Sequence, residues 1–283
     1  MSYVIHGATG AQGSPVVSAL AAAGEPVVAL TRDADATVGG ARVVAADCSS
    51  AERLADAYRG AAGVFVHLPL GEEEDRRRYA HNIVAAVREA APARVVFSTS
   101  GSGGGALAEP ADSAVSVLIA GLAESQVSHA VVAPRLFLEN LLLPPIARAV
   151  REEGVLRYPL RADFPVSWAS HLDVADAVAG LFHRPDVTGT IAVGQYPALT
   201  GPQLAQAFGT RLGQNVTYEA IAPASFGASL APFIGEGAAT GVAGLYQALG
   251  RLTDNVITPE QSAQKRLGLA PRTTGGWLED IGL

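Results

Sequence analysis

The chain of 283 residues is 49% hydrophobic, and a formal net charge of −7 with a pI near 5.4 makes it acidic. This balance argues against nucleic-acid binding, which requires a basic face, and no apolar run approaches the roughly 18 residues of a membrane span. A single cysteine, Cys48, excludes an internal disulfide and a cysteine metal cluster, so we predict no metal site.

A glycine-rich turn follows the first predicted strand, Tyr3 to His6, and precedes a helical stretch from Ser14. A strand, a glycine turn and a helix are the context of a dinucleotide site. There the first glycine permits the tight turn, the second lets the backbone approach the diphosphate, and the third lets the helix pack against the strand. The spacing is GxxGxxG in place of the general GxGxxG. We predict that these turn residues bind the cofactor: Gly7, Thr9, Gly10, Ala11, Gln12 and Gly13.

Charged residues follow the next two predicted strands. The strand over 26–31 is followed by Arg32 and Asp33, at the point that faces the adenosine ribose in doubly wound folds. An arginine there suits a 2′-phosphate, and an acidic residue suits a free 2′-hydroxyl. Because Arg32 comes first, we predict that NADPH binds in preference to NADH. The next strand ends at Asp47, which would either accept a hydrogen bond from the adenine amino group or cap the following helix.

The ends of two later predicted strands contain the candidate catalytic residues. The fourth predicted strand ends at His67 and Leu68, which we expect to line the cofactor crevice. The fifth predicted strand ends in a cluster of hydroxyl residues that includes Ser98 and Ser100, and the glycine-rich loop 101–105 follows it. We expect this segment to form the floor of a substrate-binding site. The catalytic residue is unknown from sequence, with His67, Ser98 and Ser100 as candidates, and Ser98 is also assigned to the cofactor. A structural histidine and a plain loop are the alternatives.

The sixth predicted strand is followed by a segment, 134–141, that leads into a helix. Up to this point strands and helices alternate in the order that specifies a parallel sheet with helices on both faces. We therefore predict an α/β fold with a doubly wound parallel sheet, a Rossmann domain, over residues 1–153. We predict that four residues contact the substrate: Ser100, Gly101, Phe137 and Asn140.

The strand–helix pattern loosens in the C-terminal part of the chain. There the sequence predicts a short strand over 164–168, a helix opened by Asp173 and Asp176, a strand near 188–194 that returns to the Rossmann domain, a helical stretch over 223–250 and a helix start at Thr258. We predict that residues 154–283 form a smaller, mostly helical lobe that binds the substrate and covers the cofactor crevice.

With these features together, the chain resembles the NmrA-like group of atypical short-chain dehydrogenase/reductases over nearly its whole length. The resemblance is carried by the glycine turn 7–13, Arg32, the segment Pro134 to Asn140, Asp173-Val174-Ala175-Asp176 and Ile257-Thr258-Pro259-Glu260. It implies an NAD(P)-binding Rossmann fold. Members of the group include NAD(P)H-dependent quinone and aromatic reductases, tailoring enzymes of natural-product pathways, and sensors that bind NAD(P) without evident turnover.

Two departures from related sequences constrain the reaction. Relatives often carry an arginine before the proline of the sixth strand, where this chain has Ala133 and places Arg135 after the proline. The Tyr-x-x-x-Lys pair of ordinary short-chain dehydrogenases, expected near Ala111 and Val115, is absent, and Lys265 is the only lysine. Reduction of an isolated ketone needs a positioned acid, whereas a quinone or extended enone spreads its charge over a conjugated system. We therefore expect a conjugated, aromatic acceptor.

The resemblance and these departures lead to three functional hypotheses. The first is an NADPH-dependent reductase of a quinone or conjugated aromatic substrate, a polyketide included. The alternatives are a non-catalytic NADP redox sensor and a tailoring enzyme that reductively couples or rearranges aromatic polyketides. We expect a small aromatic or quinone molecule as the partner, with no nucleic acid and no membrane, and we leave a homodimer open. A first strand at residue 3 leaves no room for a signal peptide, so we expect a cytoplasmic protein.

Overall fold

A seven-stranded parallel sheet organises the protein, whose computed structural model describes residues 1–101, 107 and 109–283. The strands are β1 (Tyr3–Ile5), β2 (Val27–Thr31), β3 (Ala41–Ala45), β4 (Gly63–His67), β5 (Val95–Ser98), β6 (His129–Pro134), β7 (Val155–Tyr158), β8 (Gly189–Val193) and β9 (Thr217–Ala220). The helices are α1 (Gly13–Ala22), α2 (Ala51–Tyr58), α3 (Glu73–Ala90), α4 (Ala114–Glu124), α5 (Pro144–Glu153), α6 (His171–Phe182), α7 (Gly201–Leu212), α8 (Pro223–Ile234), α9 (Glu236–Leu249), α10 (Ala263–Leu267) and α11 (Thr274–Asp280).

The strands of this sheet lie in the order β3-β2-β1-β4-β5-β6-β8, and every neighbouring pair is parallel. All residues of β2 and β5 are buried, because helices cover both faces of the sheet, and this explains why the strand sequences are almost continuously apolar. The separate strands β7 and β9 pair with each other. The predicted doubly wound parallel sheet is confirmed.

The strand order fixes where a ligand can bind. Consecutive strands run outward from β1 on one side and from β4 on the other, so the direction of winding reverses between these two neighbours. In open α/β sheets, ligands bind in the crevice beyond the carboxyl ends of the strands at such a switch point. The glycine turn after β1 and the end of β4 therefore border the expected site.

Three apolar cores hold the helices in place. On one face of the sheet, Val16 of α1 and Val178 of α6 belong to the same buried cluster. On the other face, α2, α3 and α4 bury a second cluster that contains Tyr58. A third cluster, which includes Trp168 and Trp277, lies among the C-terminal helices. Within the described ranges, no helix has both the length and the apolar character of a membrane-spanning segment.

The start of α6 differs from its predicted form. The sequence assigns the opening of this helix to Asp173 and Asp176, whereas the helix begins at His171 with Ser170 as its N-cap. The Ser170 hydroxyl accepts a hydrogen bond from the Asp173 N–H at 3.1 Å, and the Asp173 carboxylate accepts one from the Ser170 N–H at 2.9 Å. This reciprocal pair is a capping box, in which Asp173 is the third helical residue and not the cap.

The prediction of a strand over 164–168 is wrong. Only isolated bridges form there among the described residues, and they join Val166 to Leu199 and to Asn255. Pro165 has no backbone N–H to donate to a strand ladder, so the pairing does not extend. The predicted helix start at Thr258 is present but opens a single 3₁₀ turn, Pro259–Gln261, that ends before α10.

Candidate functional site

Two glycines make the shape of the turn between β1 and α1 possible. Gly7 has a φ of +56°, a left-handed conformation that side chains disfavour, and a Cβ there would lie 3.0 Å from Cε1 of His67 and closer still to Nε2. A Cβ on Gly13 would lie 2.6 Å from the carbonyl oxygen of His6 and even nearer to that of Gly7. Gly13 therefore allows α1 to approach the turn as closely as it does.

The outer surface of this turn fits the diphosphate of a dinucleotide. Thr9, Gly10 and Ala11 are exposed, whereas Gln12 and Gly13 are buried. The side chain of Gln12, the N-cap of α1, makes no hydrogen bond to the helix, and the first turn of α1 contains no acidic residue. Backbone N–H groups and the helix dipole at such a start favour an anion. These backbone groups are the ones that would hold the diphosphate of a dinucleotide cofactor.

Gln12 connects the glycine turn to the end of β5. Its side-chain amide donates to Ser100 Oγ at 2.8 Å, and its side-chain oxygen accepts from Ser98 Oγ at 2.7 Å. The Ser100 N–H donates to Ser98 Oγ at 3.3 Å, and Ser100 has a φ of +58°, uncommon for a residue other than glycine. Three predicted site residues thus form one hydrogen-bonded unit, which we call the Gln12 unit (Gln12, Ser98 and Ser100).

The charged residues that follow β2 and β3 lie near one another. The Asp47 carboxylate accepts hydrogen bonds from the hydroxyl and the N–H of Ser49, and these bonds lower the pKa of Asp47, with a smaller contribution from Arg32 and Arg53. The N-cap of α2 is Ser50, so the capping role considered for Asp47 is wrong. Arg32 is exposed, and Arg53, which the sequence analysis did not select, adds a second cation near Asp47.

His67 lies against the glycine turn. Its Nε2 atom is buried without a hydrogen-bond partner among the described residues, and burial lowers the pKa of the ring, which favours the neutral form. A cavity lies beside Ser100, and neither His67 nor Leu68 is among the described residues that line it. The structure therefore gives His67 a packing contact with Gly7, which explains why position 7 cannot carry a side chain without a shift of the ring.

A cavity of about 320 Å³ is lined on one side by the end of the Gln12 unit. All four residues predicted to contact substrate line it: Ser100, Gly101, Phe137 and Asn140. Its remaining wall includes apolar side chains of α8 and α9, among them Phe226, Leu230 and Leu249. The predicted floor also included residues 102–105, which lie outside the described residues.

Few polar side chains line this cavity, and two of them stand out. Arg135 is only 6% exposed. Tyr246 makes a hydroxyl–hydroxyl hydrogen bond to Tyr158, and burial raises the pKa of Tyr246 to about 12. Tyr246, which lines the cavity, therefore stays protonated and neutral at neutral pH.

The helices α8 and α9 lie within the lobe that was predicted to bind the substrate, but the residues that they contribute to the cavity and the position of Arg135 there were not predicted from sequence. A signal for the wall is present in the spacing of apolar residues, which recur on one face of each helix: Phe226, Leu230 and Ile234, then Val242, Leu245, Tyr246 and Leu249. Such spacing identifies an apolar face but not what the face covers. Only the folded chain shows that these faces meet Ser100 across a cavity.

Comparison with known proteins places this architecture in a family. The model of the NmrA-like family matches residues 3–278, from β1 into α11. The chain belongs to the NmrA-like family. No curated protein matches this NmrA-like chain.

Solved structures share the fold of this NmrA-like protein over nearly its whole length. The triphenylmethane reductase of Citrobacter sp., solved with NADP(H), has a TM-score of 0.83 and 18% identity and covers 98% of this chain and 99% of its own. An NADPH-dependent quinone oxidoreductase from Escherichia coli, solved with NADPH, has a TM-score of 0.73 and 21% identity and covers 99% of both chains. A nucleoside-diphosphate-sugar epimerase from Staphylococcus aureus has a TM-score of 0.78 and 17% identity over 99% and 100% of the two chains.

Proposed function

We propose that this protein is an NADPH-dependent reductase of a quinone or another conjugated aromatic molecule. The observation that carries the proposal is the apolar cavity beside the glycine turn, which shares Ser100 with the Gln12 unit. A concave, mostly apolar site with a few placed polar groups suits a flat aromatic ligand. The dye reductase and the quinone oxidoreductase that share the fold, both solved with a nicotinamide cofactor, give further support.

The side chains around the cavity suit the reduction of a conjugated acceptor. NADPH supplies a hydride when it is bound, and the protein contributes position and the exclusion of water. Ser100 and Tyr246 line the cavity, and we propose their neutral hydroxyl groups as its hydrogen-bond donors. Because a conjugated acceptor delocalises the charge that it gains, such neutral donors can serve where an isolated ketone would need a stronger acid.

NADPH oxidation, followed at the nicotinamide absorbance band, tests the reductase directly. We expect turnover with members of a panel of quinones, triphenylmethane dyes and fused aromatic ketones. Gly10→Val should abolish that turnover, because Gly10 is exposed on the surface that fits the diphosphate. The matched control is Gly237→Val on α9, where an added Cβ meets no described atom within 4 Å.

The same panel distinguishes the reductase from the alternative functions. Tight NADPH binding with no oxidation of any acceptor would contradict the reductase and favour an NADP redox sensor. A coupled or rearranged product in place of a simple reduced acceptor would favour a tailoring enzyme. The polyketide substrate and the role in natural-product biosynthesis stay predictions, because the described cavity contacts do not separate a polyketide from other fused aromatic molecules.

Arg32→Ala should weaken NADPH binding by about 10- to 100-fold and leave NADH binding nearly unchanged. A charge-assisted hydrogen bond to the 2′-phosphate accounts for an effect of this size, and NADH lacks that phosphate. Calorimetric titration of both dinucleotides measures the two affinities. Arg211→Ala, which removes an exposed arginine from α7, is the control. Equal losses of affinity for NADPH and NADH would remove Arg32 from this role.

A further inference from the structure

Arg135 places a buried cation at the cavity wall. It directly follows β6, and its backbone N–H donates to the Val193 carbonyl at 3.2 Å, which fixes the main chain at the end of the sheet. The residue is only 6% exposed yet lines the cavity. An arginine side chain remains protonated in proteins, so this wall carries a positive charge within a largely apolar surface.

The guanidinium of Arg135 is poorly satisfied by the protein. Its Nε atom reaches the Val256 carbonyl at 3.5 Å, the outer limit of a hydrogen bond, and its buried Nη1 atom has no acceptor among the described residues. The ion pairs found in the described part of the chain do not include Arg135. Glu109, which lines the same cavity, forms no such pair with it.

A buried charge without a counter-charge is costly, and buried charges in proteins are therefore paired as a rule. The planar guanidinium presents N–H donors in a fork that matches the two oxygens of a carboxylate. Apart from Glu109, the other polar residues named at the cavity, Ser100, Asn140 and Tyr246, are neutral and can satisfy an additional ligand oxygen. This set of groups suits a planar aromatic ligand that carries an acidic group.

We propose that Arg135 is a substrate-binding residue and that the cavity takes aromatic acids, whose carboxylate pairs with the guanidinium while the ring lies between the apolar walls. This proposal depends on the proposed reductase function in one respect, because it treats the cavity as the substrate-binding site. It narrows the acceptor from conjugated aromatic molecules in general to those that carry an anionic oxygen group.

Binding of a matched pair of redox-inert probes, naphthoate and naphthamide, tests the proposal without turnover. Both have the same fused rings, but only naphthoate carries a charge at neutral pH. Calorimetry with the full chain, with and without NADP⁺, should show that naphthoate binds about 10- to 100-fold more tightly, the range expected for a hydrogen bond between charged groups. Arg135→Met should remove this preference, and Arg135→Lys should retain part of it, because lysine keeps the charge but loses the fork.

Arg148→Met is the matched control, because Arg148 is exposed and paired with Glu152, and it should leave the preference for naphthoate unchanged. Arg135→Met should also unfold at or above the wild-type temperature, because it removes a buried charge that has no ion-pair partner among the described residues. Equal binding of the two probes by the wild type, a preference that persists in Arg135→Met, or no binding of either probe would overturn the proposal.

The outcomes for Arg135 and for the reductase are separable. Charge-selective binding that depends on Arg135, with no NADPH oxidation across the acceptor panel, would refute the reductase and keep the aromatic-acid site. NADPH oxidation with acceptors that show no dependence on Arg135 or on charge would keep the reductase and refute the aromatic-acid site.

Discussion

Gly13→Ala should abolish dinucleotide binding and lower the free energy of unfolding by about 1–3 kcal/mol, the usual cost of overpacking a buried site. The added methyl group would collide with the carbonyl oxygens of Gly7 and His6. Both obstacles are main-chain atoms, which cannot rotate away as the end of a side chain can. The start of α1 must therefore move from the turn, and the N–H groups that face the diphosphate move with it.

Urea unfolding and calorimetric titration with NADPH measure the two effects of Gly13→Ala. Gly241→Ala is the control, because Gly241 lies in α9 with no described atom within 4 Å of an added Cβ. That change should raise the free energy of unfolding by about 0.5–1 kcal/mol, since alanine loses less backbone entropy than glycine in a helix. A Gly13→Ala protein with wild-type stability and NADPH affinity would refute the steric account of the turn.

Asp173→Ala should lower the free energy of unfolding by about 3 kcal/mol, as expected when a buried carboxylate is removed and the backbone N–H groups that it satisfies lose their acceptor. Asp173 is 4% exposed. Its carboxylate accepts hydrogen bonds from the Ser170 N–H at 2.9 Å, from the Arg272 N–H at 3.0 Å and from Nη1 of Arg272 at 3.2 Å. The substitution removes the capping box of α6 and leaves the backbone N–H groups of Ser170 and Arg272 without their acceptor, while Nη1 of Arg272 keeps its bond to Asp176.

Asp176→Ala is the control for the ion pair, because Asp176 lies one helical turn away and bonds to the same Arg272 Nη1 at 2.7 Å, with a side chain 46% exposed. Its loss should cost less than about 1 kcal/mol, as for other exposed ion pairs. Chemical denaturation of both variants gives the comparison. Equal losses of stability would show that burial of Asp173 does not determine its contribution.

The sheet could be predicted from sequence because its determinants are local. An apolar strand, a glycine turn and a helix follow one another over residues 3–20, and the alternation repeats along the chain. The steric roles of Gly7 and Gly13 follow from the same spacing. The prediction failed at 164–168, where the apolar residues suggest a strand but Pro165 prevents a ladder. The predicted start of α6 was also misplaced. It rested on the acidic residues Asp173 and Asp176, whereas the N-cap is Ser170.

The cavity could be predicted only in part, because elements far apart in the chain form it. Ser100 and Phe137 lie at the ends of neighbouring strands, so sheet topology alone brings them together. The wall that contains Leu230 comes from a helix pair about a hundred residues later in the sequence, and no local pattern shows where that pair docks. The lack of an ion-pair partner for Arg135 among the described residues is a property of the folded chain, which residue spacing cannot reveal.

Ser100 belongs both to the Gln12 unit and to the cavity wall, and this affects how the range of bound molecules can change. Ser100 is held by Gln12 from the glycine turn and also lines the cavity, so a substitution there alters both ligand sites at once. Phe226, Leu230 and Leu245 line the cavity from helices that do not form the turn. Under the proposed reductase function, new acceptors can therefore arise through changes in these walls, by natural drift or by directed evolution, while the glycine turn stays unchanged.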